Sequence, residues 1–120
     1  MIEFKNLTRK KIDERVYKLL YKKIFLPRGK AGRKDFELSV VFATPAFMRK
    51  LHKNKNADVL SFLYKEEKVG EIFINSREKR KPFLFVHGAL HLLGHGHKKI
   101  KDARDMKKLE TKFLKKIKNE

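Results

Sequence analysis

Cysteine is absent from this 120-residue chain, which excludes both a disulfide framework and a thiolate metal site. Long apolar runs are absent too, since none approaches the roughly 20 residues that a bilayer-spanning helix needs. Residues 1–5 lack the apolar stretch and the small-residue cleavage site of a secretory signal. These absences predict a cytoplasmic protein that does not enter a membrane.

Acidic residues are scarce: 14 Asp and Glu stand against 32 Lys and Arg, a formal net charge of +18. An excess of this size favours binding to a polyanion through counterion release, whatever the base sequence. A solubility surface or an acidic protein partner is the alternative explanation. Adsorption to a membrane is disfavoured, because no helix shows the basic-against-aromatic split of an interfacial anchor. The charge therefore predicts a nucleic-acid partner.

Hydropathy patterning predicts one domain, residues 1–120, of the α+β class with helices packed on a mixed sheet. The predicted order is β-α-β-α-β-β-α-α, and the order of the strands within the sheet is not readable from the pattern. The elements are a strand at 1–5, a helix at 9–25, a strand at 36–43, a short helix at 45–52, strands at 58–64 and 69–75, a helix at about 83–93, and a helix from after residue 97 to about 118.

Three of these helices carry apolar stripes that predict their buried faces. Thr8 and Thr44 are the predicted N-caps of the first two helices. The expected core positions are Ile12, Val16, Leu19 and Ile24 in the first helix, Phe47 and Leu51 in the second, and Ile100, Ala103, Met106, Leu109, Phe113 and Ile117 in the last.

Four of the five histidines lie within one stretch, residues 87–97, which reads HGALHLLGHGH. His87 and His91 would lie one helical turn apart on the same face, close enough to bind one ion. Gly94 can end the helix in a left-handed conformation, so that His97 turns back as a third ligand. Three protein ligands leave one position of a tetrahedral zinc open, as in catalytic sites. The alternative is a pair of solvated histidines, and His95 is open as a substitute ligand, a proton carrier or an exposed residue.

Gly88 stands where the zinc-peptidase motif H-E-x-x-H has its catalytic glutamate, which disfavours peptide hydrolysis. Glycine within a helix costs about 1 kcal/mol relative to alanine. The residue is more easily tolerated if a strand or a substrate approaches the helix backbone at that point.

The histidine stretch resembles the signature HGxLHLxGxDH of the YbeY family of metal-dependent endoribonucleases, which are ribosomal RNA maturation factors. Asp58–Phe62, DVLSF, and Gly70–Ile72, GEI, resemble two strands of that family. Met106, Glu110 and Leu114 resemble the M-x-x-x-E-x-x-x-L of its closing helix. The resemblance implies a four-stranded sheet, one Zn²⁺ per chain, and cleavage of single-stranded RNA, in particular ribosomal RNA.

The chain departs from the family pattern at two positions. The loop before Asp58 is short and contains no arginine, so that Arg49, Lys53 or Lys55 is the candidate for the family's catalytic cation. Gly96 replaces the aspartate before the last histidine, a residue type that often orients a histidine ligand. The rival hypothesis is therefore a non-catalytic RNA- or ribosome-binding protein whose metal is structural or absent.

Two carboxylates and one hydroxyl lie near the matched motifs. Asp58 and Glu71 are candidates to orient a histidine or a water, although capping or exposed roles are commoner at strand ends. Ser61 is expected to be a strand hydroxyl that is hydrogen-bonded to backbone. Tyr17 and Tyr21 are expected in the core.

Overall fold

A computed structural model describes residues 1–25, 36–53, 55–93 and 100–118 of the chain, with the side chains of the last helix described over 104–115. Its elements confirm the predicted order and the α+β class. They are β1 (Ile2–Asn6), α1 (Arg15–Phe25), β2 (Glu37–Ala43), α2 (Pro45–Leu51), β3 (Val59–Tyr64), β4 (Val69–Asn75), α3 (Lys81–Leu92) and α4 (Ile100–Lys118).

The four strands form one mixed sheet in the order β1-β2-β4-β3. β1 and β2 are parallel, as are β2 and β4, whereas β3 and β4 form the predicted antiparallel hairpin. The hairpin register places Ser61 opposite Ile72 and Val59 opposite Ile74. Because side chains alternate between the two faces of a strand, these four share one face of the sheet.

Helices α1, α3 and α4 cover that face and enclose the main core. The opposite face carries α2 and a smaller cluster of Val41, Ala43, Met48 and Phe73. β2 is therefore buried on both faces over its second half, where the sequence predicted a single buried face. The reason is that α2 folds back over the strand that it follows.

The central helix is α3, which contacts β3, β4, α1 and α4. A helix that packs on so many neighbours needs apolar residues around most of its circumference. Its buried residues are Leu84, Phe85, Val86, Gly88, Ala89, Leu90 and Leu92. The remaining strip, which contains Phe83, His87 and His91, is the part of the helix that reaches the surface.

The first helix begins at Arg15 rather than at Arg9, so the prediction of Thr8 as its N-cap is wrong. The Asn6 side chain accepts hydrogen bonds from the backbone N–H and the hydroxyl of Thr8, which builds a local turn instead. Asp13 accepts a hydrogen bond from the backbone N–H of Arg15 where the helix starts. The buried stripe is Tyr17, Leu20, Tyr21, Ile24 and Phe25, which confirms the two tyrosines as core residues.

In α2, Thr44 is the N-cap as predicted, and its hydroxyl accepts a hydrogen bond from the N–H of Phe47 at 3.2 Å. The predicted buried face of this helix is wrong. Phe47 and Leu51 are 38% and 37% exposed, whereas Met48 between them is fully buried. A helix of two turns on the edge of a small cluster buries one side chain well, and Met48 is the one aimed at Val41 and Phe73.

Within the described part of α4, the predicted buried face is correct at Met106, which is fully buried, and at Leu109 and Phe113, which are half-buried. The side chains of Ile100, Ala103 and Ile117 lie outside the described residues. No helix in the described part of the chain is long and apolar enough to cross a membrane.

Candidate metal centre and its cleft

His87 and His91 are brought together by one turn of α3, as their spacing predicted. Their Nε2 atoms lie 3.1 Å apart, and their ring planes are inclined at 67°. Two nitrogens that each bind a tetrahedral zinc at about 2.0–2.1 Å are separated by about 3.3 Å. The observed pair is therefore close to the geometry in which both imidazoles bind one ion.

Glu110 of α4 lies behind His87. The Nδ1 atom of His87 lies 3.4 Å from Glu110 Oε2, and Glu110 is only 5% exposed. Because a carboxylate only accepts hydrogen bonds, this contact assigns the donor N–H to Nδ1. A proton held on Nδ1 leaves the lone pair of Nε2 directed at His91, which is the tautomer that a metal ligand needs. A buried carboxylate that orients a ligand imidazole is a recurring feature of zinc sites.

Glu110 belongs to the M-x-x-x-E-x-x-x-L pattern of the last helix, and no role was predicted for it. The available signal was its position four residues after Met106, on the apolar side of an otherwise basic helix. A lone carboxylate on a buried helix face needs a partner, because burying an unpaired charge is costly. That partner is 23 residues away in the chain.

Gly88 lets α3 pack directly on β3 and β4. A Cβ atom at this position would lie 2.8 Å from Ser61 Oγ and 3.0 Å from Ile72 Cγ2. The hydroxyl of Ser61 donates to the carbonyl oxygen of Gly88 at 3.0 Å. The approach of a strand therefore explains this glycine, and the prediction that Ser61 bonds to backbone is confirmed.

An open cleft of about 400 Å³ lies in front of the histidine pair. Both imidazoles line it, together with side chains from β3 and the end of α3. Its described lining consists of Val59, Leu60, Ser61, Leu63, His87, His91 and Leu92. A cleft of this size accepts a small group such as a phosphodiester beside the two nitrogens.

The predicted third ligand, His97, lies outside the described residues, as do His95, Gly94 and Gly96. Among the side chains that the structure describes, in residues 1–25, 36–53, 55–93 and 104–115, no three from His, Asp or Glu come close enough to hold a metal ion. The described part of the chain thus supplies two nitrogens and the carboxylate behind one of them. These groups fit a zinc ion, and the rest of the ligand set stays a prediction.

The three candidate catalytic cations lie elsewhere. Arg49 belongs to α2, on the opposite face of the sheet from α3, and Lys53 and Lys55 follow that helix. All three are exposed, and none belongs to the described lining of the cleft. Their assignment stays a prediction.

The two carboxylates singled out in the sequence have other neighbours. Hydrogen bonding between Asp58 and Glu78, together with the charge of Asp58, raises the pKa of Glu78. Glu71 shares a face of β4 with Phe73, away from α3, and its hydrogen bond to the hydroxyl of Tyr64 raises the pKa of Tyr64. Neither carboxylate belongs to the described lining of the histidine cleft.

Comparisons with known proteins identify the family of the chain. The family model described as Endoribonuclease YbeY matches residues 71–118, which include most of β4 and all of α3 and α4. The Endoribonuclease YbeY of Pelagibacter ubique is 33% identical over 121 positions, which cover 80% of this chain and 79% of that protein. The Endoribonuclease YbeY of Phytoplasma mali is 32% identical, over 67% of this chain and 68% of that protein. The one of Thermodesulfovibrio yellowstonii is 35% identical, over 68% of this chain and 67% of that protein. The chain therefore belongs to the endoribonuclease YbeY family.

Proposed function

We propose that this protein is a zinc-dependent endoribonuclease that cleaves single-stranded RNA, with ribosomal RNA as its substrate, in the cytoplasm. The observation that carries the proposal is the pair of imidazole nitrogens, 3.1 Å apart, at the wall of an open cleft. Relatives named endoribonuclease and a net charge of +18 support RNA as the substrate class.

One zinc ion per chain is proposed to bind His87, His91 and His97. Three imidazole ligands leave one coordination position for the substrate. When bound, the ion would supply Lewis acidity toward the scissile phosphate. Glu110 keeps the proton on Nδ1 of His87, so that its Nε2 lone pair stays directed into the site.

The walls of the cleft support the same chemistry. Val59, Leu63 and Leu92 present apolar surface beside the histidines. Such walls lower the local dielectric, which strengthens the attraction between a cationic site and the charge that develops on a phosphodiester. Ser61 holds the helix backbone against β3 through the carbonyl of Gly88, so that the imidazoles keep a fixed position.

Arg49, Lys53 and Lys55 are proposed as the cations that contact the phosphates of the bound strand. Substitution by glutamine at each position removes one positive charge. Lys50→Gln, next to Arg49 in α2, is the matched control. We expect at least one of the three variants to reduce kcat/KM about tenfold or more, while Lys50→Gln stays within about twofold. If kcat/KM is the same for all four variants, none of the three residues contacts the substrate.

The central experiment compares His91→Ala with His52→Ala, which removes an exposed histidine at the end of α2. Zinc content and cleavage of a single-stranded RNA are measured for both. We expect His91→Ala to lose zinc and cleavage while it binds RNA within about threefold of wild type, because the charge lies elsewhere. His52→Ala should match wild type.

Persistent cleavage by His91→Ala would refute the proposed site. The alternative, a non-catalytic RNA- or ribosome-binding protein, predicts a different result for the wild type. That protein would bind RNA with a steep dependence on salt, yet contain no zinc and cleave no RNA.

A further inference from the structure

A second hollow lies on the other side of His87, between the first two turns of α3 and the middle of α4. It has a volume of about 540 Å³, within the range of small-ligand sites. One face of each helix forms it, and we name it the α3–α4 groove. Its described lining consists of Arg80, Phe83, His87, Lys107, Glu110, Thr111 and Leu114.

The groove combines a flat apolar wall with a basic rim. The guanidinium of Arg80 lies 4.3 Å from the ring centroid of Phe83, in a cation–π contact. Leu114 contributes further apolar surface, and Arg80 and Lys107 are both exposed. Glu110 is the one carboxylate of the described lining and is buried, so the two exposed cations make the rim positive.

His87 separates the groove from the histidine cleft. Its Nδ1 is on the side of Glu110, and its Nε2 is on the side of His91. Because His87 lines both hollows, a strand bound in the cleft can continue directly into the groove.

We propose that the α3–α4 groove binds one unpaired nucleotide of the RNA strand, adjacent to the nucleotide whose phosphodiester lies in the cleft. The base stacks on the Phe83–Arg80 pair, and its phosphate contacts Lys107. Stacking on aromatic rings and on guanidinium planes is how proteins bind unpaired bases. The inference rests on the proposed function, because it assigns a substrate subsite to the same strand.

The test measures stacking directly. Short single-stranded RNAs carry 2-aminopurine at successive positions, and fluorescence is followed during titration with wild-type protein in excess chelator, which prevents cleavage. We expect quenching at one position near the middle of the bound strand. Phe83→Leu, which keeps apolar bulk but removes the ring, should abolish that quenching and weaken binding about 5- to 100-fold.

Arg80→Gln provides a second variant at an exposed position, where loss of folding is not expected. It should reduce the quenching at the same position. Lys107→Gln should lower the log–log salt slope of binding by about 1. Lys108→Gln, an exposed lysine of α4 that does not line the groove, is the matched control and should leave the slope unchanged.

Unchanged quenching in both Phe83→Leu and Arg80→Gln would overturn the inference, and so would equal effects of Lys107→Gln and Lys108→Gln. If these variants instead lose affinity for a poly-glutamate peptide and keep their RNA affinity, the groove binds an acidic protein segment and the inference is wrong. RNA cleavage that persists with unchanged KM in these variants would leave the proposed function intact. Absence of cleavage by zinc-loaded wild type would refute that function separately.

Discussion

The Nδ1 atom of His87 lies 3.4 Å from the Oε2 atom of Glu110, across the interface between α3 and α4. The carboxylate is 5% exposed, so its charge is shielded from bulk water. Because the imidazole N–H is its hydrogen-bond partner, the two groups stabilise each other's position. The ring orientation is therefore set by a helix other than the one that carries it.

Glu110→Gln tests this relationship. The amide keeps the shape of the side chain but removes the charge that favours a cation at Nε2. We expect zinc affinity to fall about 10- to 100-fold, measured by competition with a chromophoric chelator. Glu78→Gln removes a half-exposed carboxylate that does not line the histidine cleft, and it should leave the affinity unchanged. An affinity for Glu110→Gln within twofold of wild type would contradict the assigned role.

Gly88→Ala tests the close approach of α3 to the sheet. Alanine favours a helix by about 1 kcal/mol over glycine. The added Cβ would however lie 2.8 Å from Ser61 Oγ and 3.0 Å from Ile72 Cγ2, so the helix must shift. Overpacking of this kind costs about 1–3 kcal/mol, which offsets or exceeds the helix gain, and we expect a net loss of up to about 2 kcal/mol in urea unfolding.

Ser61→Ala removes the nearest of the atoms that this Cβ would meet. The double variant should therefore be more stable than the sum of the two single changes predicts. If the changes in unfolding free energy of the two single variants add up to that of the double variant, the contact with Ser61 is not the source of the strain.

Met48→Ala and Phe47→Ala test which side of α2 is buried. Met48 is fully buried between Val41 and Phe73, so its truncation should cost about 2–4 kcal/mol of unfolding free energy. Phe47 is 38% exposed and contacts the ring of Phe73 at 6.1 Å between centroids. Its truncation should cost about 1 kcal/mol. Urea unfolding of both variants at one pH measures the two losses. A larger loss of unfolding free energy for Phe47→Ala than for Met48→Ala would show that Phe47 lies on the buried side of α2.

Tyr17→Phe should alter the dependence of stability on pH under alkaline conditions. Burial, and secondarily the charge of Asp13, raises the pKa of Tyr17 from 10.0 to about 12. Below pH 10 the phenol is protonated in both the folded and the unfolded state, so its contribution to the free energy of unfolding is fully present. As the pH rises from 10 to 12 the unfolded chain loses this proton first, and stability falls.

The difference between wild type and Tyr17→Phe should therefore change by about 1–2 kcal/mol across that interval, after a discount for water near the hydroxyl. Lysines titrate equally in both proteins and cancel in the comparison. Parallel stability curves from pH 9 to pH 12 would show that Tyr17 has an ordinary pKa.

The order and type of the elements were predictable because each depends on local periodicity. The spacing of His87 and His91 likewise fixed their proximity, since one helical turn separates them. The start of α1 was not predictable in the same way. The turn formed by Asn6 and Thr8 competes with a helix at residue 9, and propensity alone does not decide between them.

Features that depend on contacts between distant parts of the chain could not be predicted from the sequence. The strand order, with β4 between β2 and β3, follows from the packing of whole elements. The buried side of α2 depends on where Phe73 lies beneath it. The role of Glu110 requires α4 to pack on α3, and nothing near Glu110 in the sequence indicates His87.

The apolar circumference of α3 has a consequence for how the histidines are held. The helix is fixed by its packing against β3, β4, α1 and α4. The spacing between the imidazoles of His87 and His91 is thus set by the folding of the core, before any cation arrives. Packing of the core thus orders the two proposed ligands, and we expect removal of the proposed zinc ion to leave the domain folded and able to bind it again.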